Sequence, residues 1–173
     1  MTRAILNLCK LSAYLGGFLL CALILLIVIS VAGRAAIGIG LGPVPGDFEL
    51  VEMGMGIAIF FFMPWCYIKG GHATVDLLYV HMQPWQKRVV DTASDLLMFT
   101  AWLVMTWMLW EGLLEKKEFL ETTFILQMPV WWSYAVCFFG STVGCIAYLA
   151  KTLNQLGLVS ELEGWTVEAN LGH

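Results

Sequence analysis

The residues able to do chemistry are few and far apart. His72, His81 and His173 are isolated, and none lies in the middle of a long apolar stretch. A haem inside a helical bundle needs axial ligands at mid-span, so these histidines offer no such site. His72 and Asp76 stand one helical turn apart. That spacing suits a hydrogen-bonded turn better than a metal site, which needs more ligands than two. No H-E-x-x-H, no P-loop and no Ser/His/Asp set is present. The cysteines are Cys9, Cys21, Cys66, Cys137 and Cys145, without a C-x-x-C pair. Most lie in apolar stretches, where a thiol behaves as a small apolar group, so neither a disulfide framework nor a zinc site is expected. The expectation is a protein without enzymatic chemistry or a cofactor of its own.

The acidic residues carry two readings each. Asp91 and Asp95 are one turn apart at the start of an apolar stretch. An acid at membrane depth is costly and faces protein or water, so Asp95 reads as an ion or proton site. It also reads as a helix-start acid within reach of Arg88 and interfacial water. The second reading is preferred, because no other membrane carboxylate is at hand to form a relay. Asp47, Glu49 and Glu52 open another apolar stretch, where acids favour the positive end of the helix dipole. Glu52 lies deeper and leaves room for a polar partner. Glu111, Glu115, Lys116, Lys117, Glu118 and Glu121 form either a solvated face or a docking surface for an external partner. On a helix, Lys117 and Glu121 would attract and Glu115 and Glu118 would repel.

Four apolar stretches must position these groups: residues 11–33, 50–68, 89–110 and 130–150. Each approaches the ~20 residues that a helix needs to cross the hydrocarbon core. Hydrophobic residues make up 60% of the 173 and charged residues 13%, well under the roughly 25% charged of soluble domains. The alternating pattern of a lipid-facing barrel is missing. The expected fold is an all-α integral membrane protein, one domain over 1–173 with four transmembrane helices and a short tail at 151–173. The uncharged run 11–33 exceeds the usual 7–15-residue core of a signal peptide and reads as a retained span. Arg3, Lys10, Lys69, Lys87, Arg88 and Lys151 fall on one side, and Arg34, Lys116 and Lys117 on the other. By the positive-inside rule both termini are cytoplasmic. Without a basic stripe, nucleic acid is not an expected partner.

The connections have distinct characters. Residues 35–46 hold Gly38, Gly40, Gly42, Pro43, Pro45 and Gly46, which cannot continue a helix. Pro64 predicts a kink or break near the inner end of the second span. Lys69, Gly70 and Gly71 end that span, and 75–80 predicts a short interfacial helix, with Tyr79 and Trp85 at the depth of an aromatic belt. Pro129 suits a helix start, with Trp131 and Trp132 at the outer interface. Ser133, Cys137, Gly140 and Gly144 form a small-residue stripe that includes a G-x-x-x-G, so another helix can approach closely. Trp102, Trp107 and Trp110 read as packing residues.

Several segments together resemble one family. These are Pro45-Gly-Asp-Phe-Glu-Leu-Val-Glu52 before the second span and Phe60-Phe-Phe-Met-Pro-Trp-Cys66 at its end. Gly70-Gly-His-Ala-Thr-Val-Asp-Leu77 follows, and Glu121-Thr-Thr-Phe-Ile-Leu-Gln-Met-Pro-Val-Trp-Trp132 precedes the fourth span. In order and spacing they resemble the small permease (Q) subunit of TRAP transporters, the tripartite ATP-independent periplasmic systems of the bacterial inner membrane. The resemblance implies a scaffold for a large permease (M) subunit, which carries the substrate and sodium sites and moves as an elevator. It also implies help in docking a periplasmic binding protein that delivers an organic anion, such as a carboxylate or an acidic sugar. On that reading Arg34, Asp47, Glu49, Glu52 and the charges from Glu111 to Glu121 shape the outer docking surface. Lys69, His72 and Asp76 shape the inner turn. Two other readings remain: a four-helix membrane anchor of a redox complex, disfavoured by the missing mid-span histidines, and an oligomeric channel, disfavoured by the scarcity of polar residues that could line a pore.

Overall fold

The computed structural model describes residues 2–69 and 83–155. His72, Asp76, His81, the interfacial segment 75–80 and the tail beyond 155 lie outside the described residues, as does the side chain of Arg88. The described chain is helical: α1 (Thr2–Ala35), a 3₁₀ turn (Ile37–Ile39), α2 (Asp47–Ile68), α3 (Pro84–Glu118) and α4 (Trp131–Gln155). All four long helices have the length and apolar composition to cross a membrane.

The helices outrun the apolar stretches that seed them. Helix α1 begins at Thr2, not near residue 11, and α3 spans Pro84–Glu118 where the apolar stretch covers only 89–110. Lysine and glutamate are good helix formers, so a helix that leaves the hydrocarbon continues until its backbone is capped. At the start of α3, Pro84 occupies the first turn, where its missing N–H costs nothing. The Gln83 N–H donates to the Gln86 side chain at 2.9 Å, a reciprocal capping arrangement. Past Glu118 the chain turns through Leu120 at φ 50°. Pro64 produces no break: α2 is continuous through it, and the residue is buried.

In lipid, apolar surface alone does not hold helices together; close packing and polar contacts do. Helix α1 lies on α2, α2 on α4 and α4 on α3, with a lighter contact of α1 on α4. The α2–α4 seam tightens at Gly140, where a Cβ would stand 3.2 Å from the carbonyl carbon and oxygen of Phe60. That carbonyl is the one whose intrahelical donor Pro64 removes. The bare Cα of Gly140 therefore lets α4 cover a backbone acceptor that would otherwise face lipid. The α3–α4 seam sets polar contacts among packed aromatic rings. Trp102 Nε1 donates to the Ser141 carbonyl at 2.9 Å, and Thr106 bonds the Ser141 hydroxyl. Closer to the chain termini, Asp95 meets Lys151 at 3.7 Å. Cys9, Ile68, Val143 and Ala147 form an apolar cluster joining α1, α2 and α4 at that same end.

Charge spacing marks the depth of the bundle. On α2 the run from Glu52 to Lys69 is about 25 Å, and on α3 the run from Asp95 to Glu111 is about 24 Å. Both come near the hydrocarbon thickness of about 30 Å. Asp95 and Lys151 thus belong to one membrane edge. The 36–46 and 119–130 connections belong to the other, called here the connection end.

Candidate partner-docking surface

At the connection end, most of the charged groups are spent on the protein itself. Ser30 in α1 is fully buried. Its hydroxyl donates to Asp47 Oδ2 and accepts the Val44 N–H at 3.3 Å, so one side chain ties α1, the first connection and the start of α2. Asp47 Oδ1 also accepts the Phe48 N–H at 2.8 Å, and the Arg34 guanidinium stands 3.6 Å from Asp47 Oδ2. Arg34 is well exposed, and an exposed ion pair of this kind is worth at most about 1 kcal/mol. The buried hydroxyl bond is the firmer link.

Glu49 reaches across the bundle. Its carboxylate accepts the Ile125 N–H at 2.7 Å and the Leu126 N–H at 3.0 Å. Two successive amides presented to one carboxylate hold the 119–130 connection onto the N-terminus of α2. Leu126 packs on Gly46, where a Cβ would meet its side chain at 2.5 Å, and Gly46 has φ +75°. Both the close approach and the left-handed backbone require glycine there. Within the connection, Thr123 N–H donates to the Met128 carbonyl and Val130 N–H to the Glu121 carbonyl, both at 3.0 Å. Gln127 turns the strand-like ends through φ 51°.

Lys116, rather than Lys117, pairs with Glu121, at 2.8 Å. The helix stops at Glu118 and the chain folds back, so Glu121 N–H reaches the Lys116 carbonyl and the carboxylate follows. Lys117 lies over the Trp131 ring at 5.7 Å, a cation–π contact. Glu52, Glu111, Glu115 and Glu118 are exposed and make no ion pair among the described residues. The ten outer residues thus divide: Arg34–Asp47, Glu49 and Lys116–Glu121 brace the two connections, Lys117 lies on Trp131, and those four acids are exposed.

The small-residue stripe is buried at Ser133, Cys137, Gly140 and Gly144, and it serves two neighbours. Gly140 faces Phe60 of α2, whereas a Cβ at Gly144 would stand 2.5 Å from Trp102 Nε1 of α3. Of the three tryptophans read as packing, Trp102 is buried, while Trp107 and Trp110 are exposed. At the opposite end Lys69 is exposed, with its ammonium 5.3 Å from the Trp65 ring centre.

The residues that sequence reasoning passed over lie at that opposite end. Tyr67 donates its hydroxyl to Asp95 Oδ1 at 2.6 Å. Lys151 pairs with Asp95, donates to the Tyr67 carbonyl at 3.3 Å and sits 4.1 Å from the Tyr67 ring centre. Tyr67 stacks on Tyr148 at 3.7 Å, and Tyr148 on Trp102 at 5.1 Å. A lysine closing an apolar run was the available signal, since a membrane acid calls for a nearby base. Among the described residues, no cluster of three or more His, Cys, Asp or Glu could hold a metal ion.

With this arrangement in view, comparison with known families is decisive. The family described as tripartite ATP-independent periplasmic transporters, DctQ component, matches residues 23–157. The chain belongs to that family. No curated protein matches it individually. The match runs from mid-α1 to the end of α4, so it takes in both connections and the Asp95–Lys151 pair. This DctQ component is a membrane subunit of a TRAP transporter with four helices suited to cross the bilayer.

The bracing role of Glu49 is testable in this DctQ component. Replacing Glu49 with alanine removes the acceptor of two amides. Hydrogen exchange at Ile125 and Leu126 is expected to accelerate at least about tenfold, because hydrogen bonds to a charged acceptor contribute about 1.5–3 kcal/mol. Exchange within about twofold of wild type at both amides would show that the connection is held by other contacts.

Proposed function

We propose that this DctQ component is the fixed scaffold of its transporter in the bacterial inner membrane, with both termini cytoplasmic and the connection end periplasmic. It packs against the large permease subunit, which carries the substrate and sodium sites and moves past it. It also helps to dock the periplasmic binding protein that delivers an organic anion, such as a carboxylate or an acidic sugar. The observation supporting this reading is the state of α3. That helix crosses the bundle edge with almost none of its span buried in this chain, and α4 is its main neighbour.

Leu97, Val104, Trp107 and Met108 on α3 are left exposed. A helix so lightly covered offers a second face to another membrane protein. The multiple braces at the connection end suit a rigid support rather than a moving gate. Co-expression with the large permease, extraction in mild detergent and affinity purification on a tag carried by this chain test the reading. A stable one-to-one complex is expected. Recovery of this chain alone, or only with itself, would sink it.

A further inference from the structure

Helix α3 has two seams, and among the described residues this chain fills one of them. Asp95, Trp102 and Thr106 meet Lys151 and Ser141 of α4. Those positions are seven and four apart, the spacing of one stripe along a helix. Two residues further on lies about 200° round the axis, on the opposite side. Leu97, Ala101, Val104 and Met108 occupy that side at spacings of four, three and four, and all are exposed. The same alternation continues through Glu111, Glu115 and Glu118, which are exposed as well. The second seam is thus a regular repeat, apolar with one small residue through the span and acidic at the connection end. A sustained repeat of this kind suits a neighbouring helix at a shallow, left-handed crossing.

The acids say what that neighbour carries. Glu111 lies about 24 Å from Asp95 along α3, within a hydrocarbon thickness of about 30 Å. Asp95 is answered by Lys151 and Tyr67. Glu111, Glu115 and Glu118 make no ion pair among the described residues. The lysines beside them are engaged elsewhere, Lys116 with Glu121 and Lys117 over the Trp131 ring. Like charges at i,i+4 and i,i+3 destabilise a helix, so the row costs stability unless cations meet it.

Three other covers fit less well. Lipid tails cover the apolar half as readily as a helix would. The acids, however, run on: Glu118 stands about 10 Å beyond Glu111, past a headgroup layer about 5–7 Å deep. A water-soluble protein does not reach Leu97 to Met108 inside the hydrocarbon. A second copy, across a two-fold axis along the membrane normal, would set Glu111 against Glu111 and Glu115 against Glu115. We infer that the stripe seats one helix of the large permease, apolar through the span and bearing lysine or arginine against Glu111 and Glu115 at the connection end. This step rests on the scaffold reading. The apolar seam alone would tolerate a slide along the axis, and the charges fix the depth at which the two subunits lock.

The test uses the complex of this chain with its large permease, purified on a tag carried by this chain. A p-benzoylphenylalanine at position 108 reports the neighbour of the seam by photo-crosslinking in native membranes. Glu111→Gln with Glu115→Gln removes the charge, and Glu111→Lys with Glu115→Lys reverses it. The expected result is a crosslink to the large permease, at least about tenfold less permease retained by the reversed pair in detergent, and a lesser loss with the glutamine pair. The glutamine pair is also expected to leave the thermal unfolding midpoint of this chain alone unchanged or raised, because it relieves repulsion along α3. Acids with a merely structural role would lower that midpoint when replaced. A lowered midpoint, a crosslink to lipid, to a second copy or to the binding protein, or retention within twofold of wild type by the reversed pair would each overturn the inference while leaving the scaffold reading standing. If the wild-type chain recovers no large permease, the scaffold reading fails first and the seat on α3 falls with it.

Discussion

Replacing Gly144 with valine is expected to unseat α3 from α4, at a cost of about 3 kcal/mol or more. A Cβ at this position would stand 2.5, 2.6 and 2.7 Å from Nε1, Cε2 and Cζ2 of Trp102. Those atoms belong to one rigid ring, so no flexible side-chain end can swing aside. The ring is held on two further sides: its N–H donates to the Ser141 carbonyl at 2.9 Å, and its face lies on Tyr148 at 5.1 Å with 11° between planes. Overpacking costs about 1–3 kcal/mol, and breaking the indole bond in a non-aqueous seam adds about 1 kcal/mol or more. Because α4 is the main neighbour of α3 within this chain, the loss falls on its docking as a whole.

Reversible unfolding in detergent, followed by tryptophan fluorescence, measures the effect. A second substitution separates sterics from other causes. Trp102→Leu removes the ring that the valine would strike, so Gly144→Val is expected to cost less in the Trp102→Leu background than in wild type. Equal costs in the two backgrounds would show that Gly144 does not act through Trp102. A cost below about 1 kcal/mol in wild type would show that α3 can shift to accept the side chain.

Much of this fold is legible in composition, because a span needs little more than an uncharged apolar run. The helix ends are less so. Residues 84–88 and 111–118 carry most of the charges of this helix and look like connections, yet they remain helical, since good helix formers extend a helix that the span has already nucleated. Pro64 marks a missing donor in sequence, but only the structure shows Gly140 of α4 lying against the Phe60 carbonyl that it orphans. The connection-end charges form a recognisable group, whereas their division does not follow from spacing. Glu49 bonds amides of Ile125 and Leu126 in a distant connection, and a backbone amide leaves no trace in residue identity. Lys116 displaces Lys117 as the partner of Glu121 because the chain reverses at Leu120, a turn made by a residue with no turn signature.

Lys151→Met is expected to be more damaging than Asp95→Asn, although both break the same ion pair. The pair closes the end of the α3–α4 seam at 3.7 Å, with side-chain exposures of 25% for Lys151 and 13% for Asp95. Without the lysine, Asp95 keeps its bond from Tyr67 but loses its counter-charge at the membrane edge. Without the aspartate, Lys151 still donates to the Tyr67 carbonyl at 3.3 Å and lies over that ring. Its long stem can also carry the ammonium toward water. Breaking a fully buried pair costs about 3–5 kcal/mol. Partial exposure lowers this to about 2–3 kcal/mol for Lys151→Met and about 1 kcal/mol for Asp95→Asn. The double variant leaves no stranded charge, so it is expected to be more stable than Lys151→Met alone. Detergent unfolding of the four proteins of this cycle gives the answer. Equal single losses that add in the double variant would mean that the two groups act separately.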